Sequence, residues 1–280
     1  MAGRSFCTAA RGLRRPAWLL IASLAVCAVA ASAASAAGVT GEVIHVATSA
    51  TENTNTSDNW FGYNQGTLEK GVKLFTSVSA KWTIPKATQH TAGQAEDSAD
   101  WIGIGGGCVN AGCTVTDDTL IQTGTEQDVG TGGAASYDAW YELVPAPEFK
   151  ISGFKVSAGD SMSASISLVV PALWKITISD LTKGETYTTR VPYTSTEDTA
   201  EWIEETPLEI SVPPSLASLP NLTDPRWADT TVNGANAKLK ASEQVDLVNS
   251  SGSVIGAPSL PVATDNGFSE CTWATTCPAY

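Results

Sequence analysis

The chain has 280 residues, of which 29 are acidic and 16 are basic, giving a formal net charge of −13 at neutral pH. A surface this acidic argues against nucleic-acid partners and anionic membranes, because phosphate groups are bound by clusters of Lys and Arg. The length is sufficient for one large domain with a substantial core.

The first 36 residues have the pattern of a secretory signal peptide. Four arginines flank or precede an apolar stretch at residues 17–31, and residues 31–33 and 34–36 each offer a small-residue cleavage site. The alternative is a membrane anchor, but the apolar stretch is short and no charged stop follows it. Cleavage leaves 12 basic against 29 acidic residues, a net charge of −17. We expect a secreted, extracellular protein without stable membrane association.

The amino-acid composition changes after the proposed signal peptide. Residues 37–57 are rich in Thr, Ser, Asn and Ala, which indicates a flexible lead-in or a short pro-segment. Across residues 58–280, β-rich segments alternate with Gly, Asp, Asn and Pro, and no long window has a helical period. These features predict a single all-β domain, either a sandwich or a barrel.

The predicted strands are short and bounded by turn residues. Examples are Leu74–Ile84, Asp100–Ile104, Thr119–Gly124, Ser136–Val144, Ser161–Val170, Leu173–Ser179, Thr186–Pro192, Trp227–Val232 and Val245–Asn249. Residues 182–185 separate two of these strands and predict a hairpin turn. Residues 207–225 contain five prolines and predict a long irregular connection.

Four cysteines remain after cleavage of the leader, and an even number in an exported chain indicates disulfides. Three pairings are possible. We favour the two local ones, Cys108–Cys113 and Cys271–Cys277, because each closes a short loop. A zinc site would require knuckle-type spacing, which the gaps of four and five residues match poorly. We expect no metal and no cofactor.

Common catalytic arrangements are missing from the sequence. The two histidines, His45 and His90, lie outside any motif, so a Ser-His-Asp or Cys-His triad is not indicated. There is no Gly-x-Ser-x-Gly elbow, no His-Glu-x-x-His string and no Asp-Thr-Gly pair. Any hydrolytic chemistry must therefore come from amides and carboxylates.

Polar side chains occur at alternate positions on three predicted strands, so those of one strand share a face. The set comprises Gln122 on one strand, Asp138, Trp140 and Glu142 on a second, and Glu201 and Glu205 on a third. Together the strands would place an amide, several carboxylates and a Trp on one concave surface. The alternative is a solvent-facing sheet whose polar residues have no role.

Six short strings occur in a fixed order along this region. They are Asn59-Trp60-Phe61-Gly62-Tyr63, Trp101-Ile102-Gly103-Ile104-Gly105-Gly106, Ile121-Gln122-Thr123-Gly124, Tyr137-Asp138-Ala139-Trp140-Tyr141-Glu142, Gly159-Asp160-Ser161 and Ala200-Glu201-Trp202-Ile203-Glu204-Glu205. In this order they resemble the motifs of the G1 glutamic peptidases (eqolisins), which are secreted endopeptidases of fungi and bacteria. The resemblance covers residues 59–205 well and is loose beyond them.

The resemblance implies an antiparallel β-sandwich of two packed, curved sheets with Gln122 and Glu205 as the catalytic dyad. Glu205 would be the general base and acid, and Gln122 would stabilise the oxyanion. Polypeptides would be the substrates of a monomer that uses no metal. The neighbouring Glu204 leaves a register ambiguity, since a slip of one residue exchanges the two faces of a strand. Glu205 is favoured because it shares a face with Glu201 and keeps the family's count from Trp202. Gly105 stands where the fungal pattern often has Asp, so any binding by that acid is absent.

Further residues of the same strings are candidates for substrate binding. They are Trp60, Trp101, Asp138, Trp140 and Glu142. The tryptophans either wall the cleft or pack in the core, and aromatic side chains suit both uses. The two acids either tune the charge of the site or face water.

Two other functions fit a concave β-sandwich. A glycosidase would also use paired carboxylates, although the Glu-x-Asp-x-x-Glu string common in retaining enzymes of this shape is not found. A non-catalytic carbohydrate-binding module would use Trp60, Trp101 and Trp140 as stacking platforms. An assay distinguishes the three functions: a peptidase cleaves protein, a glycosidase cleaves polysaccharide, and a binding module binds sugar without cleaving it.

Overall fold

The computed structural model describes residues 43–48, 55–71, 73–223 and 225–280. The proposed signal peptide lies outside these residues. Helix in the described part is limited to one 3-10 turn, Ala241–Glu243. None of its helices is long and apolar enough to cross a lipid bilayer.

The described residues form 21 strands. In chain order they are β1 (Val43–Ile44), β2 (Thr56–Ser57), β3 (Trp60–Gly66), β4 (Ser77–Thr83), β5 (Ala87–Thr88), β6 (Glu96–Gly105), β7 (Leu120–Val129), β8 (Ala135–Leu143), β9 (Phe149–Lys150), β10 (Ser161–Val170), β11 (Leu173–Asp180), β12 (Glu185–Pro192), β13 (Thr199–Glu205), β14 (Leu208–Glu209), β15 (Ser215–Leu216), β16 (Asn221–Leu222), β17 (Arg226–Val232), β18 (Ala235–Asn236), β19 (Gln244–Val248), β20 (Val254–Pro258) and β21 (Phe268–Thr272).

Most of these strands belong to one continuous sheet. Its order is β12-β11-β10-β4-β17-β21-β20-β19-β3-β13-β6-β7-β8-β9. The pairings are antiparallel, except that β2 joins β19 in parallel. Strands β1, β14 and β15 form a small separate sheet, as do β16 and β5. The expected sandwich is therefore present, but its two layers are the folded halves of one sheet, connected through β21, β20 and β19.

The main core lies between the two halves. One half contributes apolar side chains at alternate positions, as in β11, where buried and half-buried residues alternate along the whole strand. The opposing half contributes Ile102, Ile121 and Trp202 to the same buried cluster. Trp82 of β4 also donates from Nε1 to Thr125 Oγ1 at 3.0 Å, so a hydrogen bond joins the two layers. The opposing half has a second face, which points away from this core. The candidate active site lies on that face, on strands β3, β13, β6, β7 and β8.

All nine predicted strands are present, and β10 matches its predicted bounds at both ends. Strand β7 extends to Val129, beyond the predicted end at Gly124, because its acidic residues are buried in the ladder with β6 and β8. Strands β20 and β21 were not predicted. They connect the two halves of the sheet, and their sequences lack a clear strand pattern. Their pairing with neighbouring strands is seen only in the structure.

Both disulfides join the predicted partners. Cys108 and Cys113 are bonded, with their Cα atoms 4.8 Å apart, in the loop that follows β6. Cys271 and Cys277 are bonded, with their Cα atoms 5.3 Å apart, at the end of β21. Each bond closes a short loop, as expected from the sequence spacing.

Candidate active site

Gln122 and Glu142 are direct cross-strand partners on β7 and β8. Alternate residues of a strand share a face, so both side chains point away from the main core, whereas Ile121 points into it. Gln122 is fully buried. Its Nε2 donates to the backbone oxygen of His45 at 2.9 Å and lies 3.3 Å from Glu142 Oε2. The amide is thus aimed at a peptide carbonyl.

Glu205 ends β13, which is separated from β7 by β6. Its Oε2 accepts a hydrogen bond from Trp101 Nε1 at 2.9 Å and lies 3.1 Å from His45 Nδ1. Its Oε1 lies 3.5 Å from Asn59 Nδ2. Burial raises the pKa of Glu205, although the His45 and Trp101 hydrogen bonds act in the opposite direction. A carboxyl group with a raised pKa is suited to exchanging a proton.

The neighbouring Glu204 points the other way. It lies between the two halves of the sandwich, where Gln127 Nε2 is 3.1 Å from its Oε1. Burial raises its pKa to about 7. Glu205, and not Glu204, therefore shares the face of Gln122, which is the register that the count from Trp202 favours.

A segment of the lead-in occupies this face. Strand β1 pairs with β14, and the Thr48 amide donates to the Gly106 carbonyl at 2.9 Å, so residues 43–48 cross the site. The backbone of His45 is bound at both polar groups: its N–H donates to Glu142 Oε2 at 3.0 Å, and its carbonyl accepts from Gln122. His45 thus contacts both members of the predicted dyad, Gln122 through its backbone carbonyl and Glu205 through its ring.

The His45 ring lies flat on Trp140, with 3.8 Å between ring centroids and 4° between planes. Its Nδ1 faces Glu205, and its Nε2 lies 3.5 Å from Glu148 Oε2. Burial lowers the pKa of His45, but the adjacent Glu148 and Glu205 raise it well above its ordinary value. The raised pKa favours the protonated form of the ring. Neither His45 nor Glu148 is among the predicted site residues, because neither lies in a motif.

The predicted binding residues divide into three groups. Trp60 and Trp101 are fully buried and meet edge to face, with ring centroids 4.8 Å apart. Both belong to a small apolar cluster beneath the site, so they wall the site and pack at the same time. Trp140 and Glu142 contact His45, as described above. Asp138 is half exposed and pairs with Lys150 at 3.6 Å, away from the dyad.

The pKa of Glu142 is raised to about 8, chiefly by burial and despite the nearby His45. Glu142 is consequently neutral in acid. Its protonated carboxyl group can then accept a hydrogen bond at one oxygen and donate from the other. It adjoins the Gln122 amide without adding negative charge to the site.

A cavity of about 680 Å³ adjoins the site where the lead-in enters. Val43, Glu126, Asp128, Lys150 and Ile210 are among the residues that line it. Burial raises the pKa of Asp128 to about 9. Lys150 Nζ lies 3.0 Å from Glu126 Oε2 and supplies positive charge to this acidic wall. Because Val43 lines it, the cavity lies at the beginning of the segment formed by residues 43–48.

Two groups of side chains among the described residues are close enough to share a metal ion. One is His45, Glu126 and Glu148, and the other is Asp100, Glu204 and Glu270. In the second group burial raises the pKa of every carboxyl group.

Comparison with known proteins identifies relatives of this chain. It is 28% identical over 181 residues to aspergillopepsin-2 of Aspergillus niger, a match covering 56% of this chain and 58% of the relative. It is 31% identical over 112 residues to scytalidopepsin B of Scytalidium lignicola, covering 40% of this chain and 37% of the relative. The chain thus spans less than two thirds of the length of either protein.

Solved structures show the same fold. Scytalido-glutamic peptidase with a transition-state analogue inhibitor matches with a TM-score of 0.57 at 21% identity, over 77% of this chain and 98% of that chain. SCP-B, an eqolisin in complex with the tripeptide Ala-Ile-His, matches over the same shares with a TM-score of 0.54 at 20% identity. Aspergilloglutamic peptidase from A. niger matches with a TM-score of 0.53 at 23% identity, over 63% of this chain and 99% of that chain.

The model of the Peptidase A4 family matches residues 58–260. This range contains Gln122, Glu205 and all five predicted binding residues, and it begins where the predicted β domain begins. The match extends over far more than half of the chain and agrees with the relatives and with the fold. The chain is a member of the Peptidase A4 family, the glutamic peptidases also called eqolisins.

Proposed function

We propose that this protein is a secreted, acid-acting endopeptidase that hydrolyses peptide bonds with a Gln122–Glu205 dyad. The observation that carries the proposal is the position of His45, whose backbone carbonyl faces Gln122 and whose ring faces Glu205. Its carbonyl accepts from Gln122 Nε2 at 2.9 Å. Glu205 Oε2 lies 3.1 Å from the ring of the same residue.

The proposed reaction uses side chains of this protein alone. Glu205, as a carboxylate, takes a proton from a water molecule, and the resulting hydroxide attacks the carbonyl carbon of the substrate peptide. The Gln122 amide donates to the oxygen as it becomes negatively charged, which stabilises the transition state. Glu205 then returns the proton to the leaving amine. Because Glu142 is neutral in acid, it places no second negative charge beside this oxyanion.

The comparisons support peptides as the substrate class. The SCP-B structure contains the tripeptide Ala-Ile-His. In this protein the segment Val43-Ile44-His45 lies at the dyad, and its last two residues are the same. Residues 43–48 therefore supply a substrate-like ligand from within the chain. The occupied groove also agrees with a pro-segment role for the lead-in.

The first experiment is proteolysis of denatured casein from about pH 3 to about pH 7, which covers the titration of carboxyl groups in ordinary and raised environments. We expect cleavage that resists pepstatin, because no aspartic dyad is indicated. Gln122→Ala should reduce the rate by about 10²- to 10³-fold, the effect of losing an oxyanion donor. Asp138→Asn is the control, since Asp138 contacts Lys150 and not the dyad. Cleavage of polysaccharide, or full activity in Gln122→Ala, contradicts the proposal.

We also propose that the protein is exported with cleavage of its signal peptide and that it is a monomer. A secreted chain should begin at Ala37, or at Ala34 if the earlier site is used, and mass spectrometry of the N-terminus decides between them. Retention of residues 1–36 in the exported protein contradicts signal cleavage. Light scattering of the purified protein should give the mass of one copy.

A further inference from the structure

The imidazole ring of His45 occupies a pocket of its own beside the dyad. One ring face stacks on Trp140, and the two ring nitrogens face Glu205 at 3.1 Å and Glu148 at 3.5 Å. His45 is fully buried. A buried cation is costly unless acceptors face its N–H groups. This pocket provides one carboxyl group for each nitrogen and an aromatic surface for the ring, which is the recognition expected for an imidazolium.

Glu148 differs from the other acids around this ring. Burial raises the pKa of Glu142 to about 8, so it is neutral in acid, and burial also raises the pKa of Glu126. Burial acts on Glu148 in the same direction, but His45 and Lys150 lower its pKa overall. Lys150 Nζ lies 3.4 Å from Glu148 Oε1, on the side away from the ring. Glu148 thus retains its negative charge at a lower pH than its neighbours.

The backbone contacts define which substrate residue this pocket would hold. The carbonyl oxygen of His45 accepts from the Gln122 amide, the group assigned above to the oxyanion. The side chain of His45 therefore takes the position of the residue that contributes the carbonyl of the scissile bond. Its pocket is a side-chain subsite immediately before that bond.

We propose that Glu148 and Trp140 form a specificity subsite that selects a protonated histidine in the residue immediately before the scissile bond. The inference rests on the proposed function and adds a substrate class to it. An uncharged side chain such as Gln or Phe would leave Glu148 Oε2, the oxygen on the ring side, without its cationic partner. The expected substrates are peptides carrying His, cleaved on its carboxyl side.

Three fluorogenic hexapeptides test the subsite. They copy residues 43–48 and carry His, Gln or Phe at the third position. The full-length protein is kept in acid until its rate is constant, and kcat/KM is then measured. We expect a preference of about tenfold for His over Gln, as for a hydrogen bond to a charged group. Glu148→Gln should abolish this preference, whereas Glu148→Asp should retain a preference.

Glu185→Gln is the matched control, because Glu185 is exposed on β12 in the other half of the sandwich. It should leave the preference unchanged. Circular dichroism shows whether each variant folds. If Glu148→Gln does not fold, the wild-type comparison of His with Gln and Phe decides, and equal rates for the three peptides overturn the inference.

A second measurement does not depend on catalysis. The chain has two histidines, so NMR titration of the full-length protein gives two imidazole curves, and His45→Gln assigns them. Glu148→Gln should lower the pKa of His45 by about one unit or more, as expected for loss of an adjacent opposite charge. An unchanged curve overturns the role of Glu148.

The outcomes separate the inference from the proposed function. If the wild type cleaves casein and all three peptides, but Glu148→Gln keeps the His preference, the subsite is wrong and the peptidase proposal stands. If the wild type cleaves neither casein nor any peptide, the peptidase proposal fails and the specificity role fails with it. The NMR result then shows only whether Glu148 holds the imidazolium of His45.

Discussion

Two adjacent glutamates on β13 have different surroundings, because successive residues of a strand face opposite sides of the sheet. Glu205 faces His45 and Trp101, whereas Glu204 lies between the two layers beside Gln127. With a pKa of about 7, Glu204 is neutral in acid. Its neighbour must ionise to act as a base, so the same substitution should affect the two positions differently.

We predict that Glu205→Gln reduces casein cleavage at about pH 4 by at least about 10²-fold, the usual effect of losing a general base. Glu204→Gln replaces a neutral acid by a neutral amide of the same shape and should retain activity within about threefold at that pH. Rates of casein cleavage by both variants measure this. Loss of activity in folded Glu204→Gln, with activity kept in Glu205→Gln, would exchange the roles of the two residues.

Gly124 lies on the same face of β7 as Gln122, two residues away. A Cβ atom there would lie 2.1 Å from the Asp100 carbonyl oxygen and 2.6 Å from Trp101 Cβ. Since Trp101 holds Glu205, we predict that Gly124→Ala lowers the free energy of unfolding by about 1–3 kcal/mol, as overpacking does, and also lowers kcat. Urea denaturation measures the first effect. Gly132→Ala is the control, because nothing lies within 4 Å of its added Cβ.

The sequence predicted Gln122, Glu205, Trp140 and Glu142 because they lie in strings of ordered motifs. It gave no role to His45, which contacts Glu205 across 160 positions of sequence. A single histidine in a polar lead-in has no periodicity or spacing that indicates a partner. The contact becomes visible only when β1 pairs with β14.

At the scale of an element, β4 shows how a strand divides its residues between core and solvent. Val78, Ala80 and Trp82 are buried, while Lys81 and Thr83 are exposed. Trp82 also packs on Trp227, with ring centroids 5.4 Å apart. The alternation is readable in the sequence, and it places β4 correctly in the sandwich.

We predict that Trp82→Ala lowers the free energy of unfolding by about 3–5 kcal/mol, since it leaves a large cavity and unpairs Thr125. Lys81→Ala should change it by about 1 kcal/mol or less, because its ion pair with Asp229 is exposed. Urea unfolding of both variants at the same pH gives the comparison. Similar losses in the two would show that β4 does not separate core from solvent in this way.

The long acidic strands were the harder elements to delimit. Glu126 and Asp128 have the composition of a turn, so the predicted strand ends before them, yet β7 continues through both. Lys150 of β9 lies 3.0 Å from Glu126 and supplies the missing charge. The strand end follows the pairing of β7 with β6 and β8, which continues to Val129, and not the local sequence.

At the scale of the whole molecule, many acids are buried with raised pKa values. They include Asp97, Asp100, Asp128, Glu142, Glu201, Glu204, Glu205 and Glu270. In each case burial is the largest cause. Such groups bind protons more tightly in the folded chain than in the unfolded chain, where Asp and Glu titrate near ~4. Stability therefore depends on pH in a defined direction.

We predict that the protein is most stable in acid and loses stability as the pH rises. Between the unfolded and folded pKa values the folded chain holds more protons, so the free energy of unfolding falls with rising pH. The contribution of these acids is complete below about pH 4. It is lost through about pH 7 for Asp97 and Glu204, and through about pH 9 for Asp128. Urea unfolding from about pH 4 to about pH 8 measures the trend.

Glu270→Gln tests the cause of this trend. Glu270 is fully buried, and its raised pKa comes first from burial and then from Glu204. A permanently neutral side chain at this position should flatten the dependence of stability on pH, whereas Glu185→Gln, at an exposed position, should leave it unchanged. Stability that increases from acid to neutral pH would contradict the assignment of these acids as protonated groups.

The sequence by itself determined the all-β class, nine strands, both disulfides and the strings that carry Gln122 and Glu205. These features depend on local periodicity, on spacing and on ordered motifs. Only the tertiary structure decided that the two layers are one folded sheet, that Glu205 rather than Glu204 faces Gln122, and that His45 meets Glu148 and Trp140. Those contacts join segments far apart in the chain, and the protonation of the buried acids depends on how completely the assembled fold excludes water.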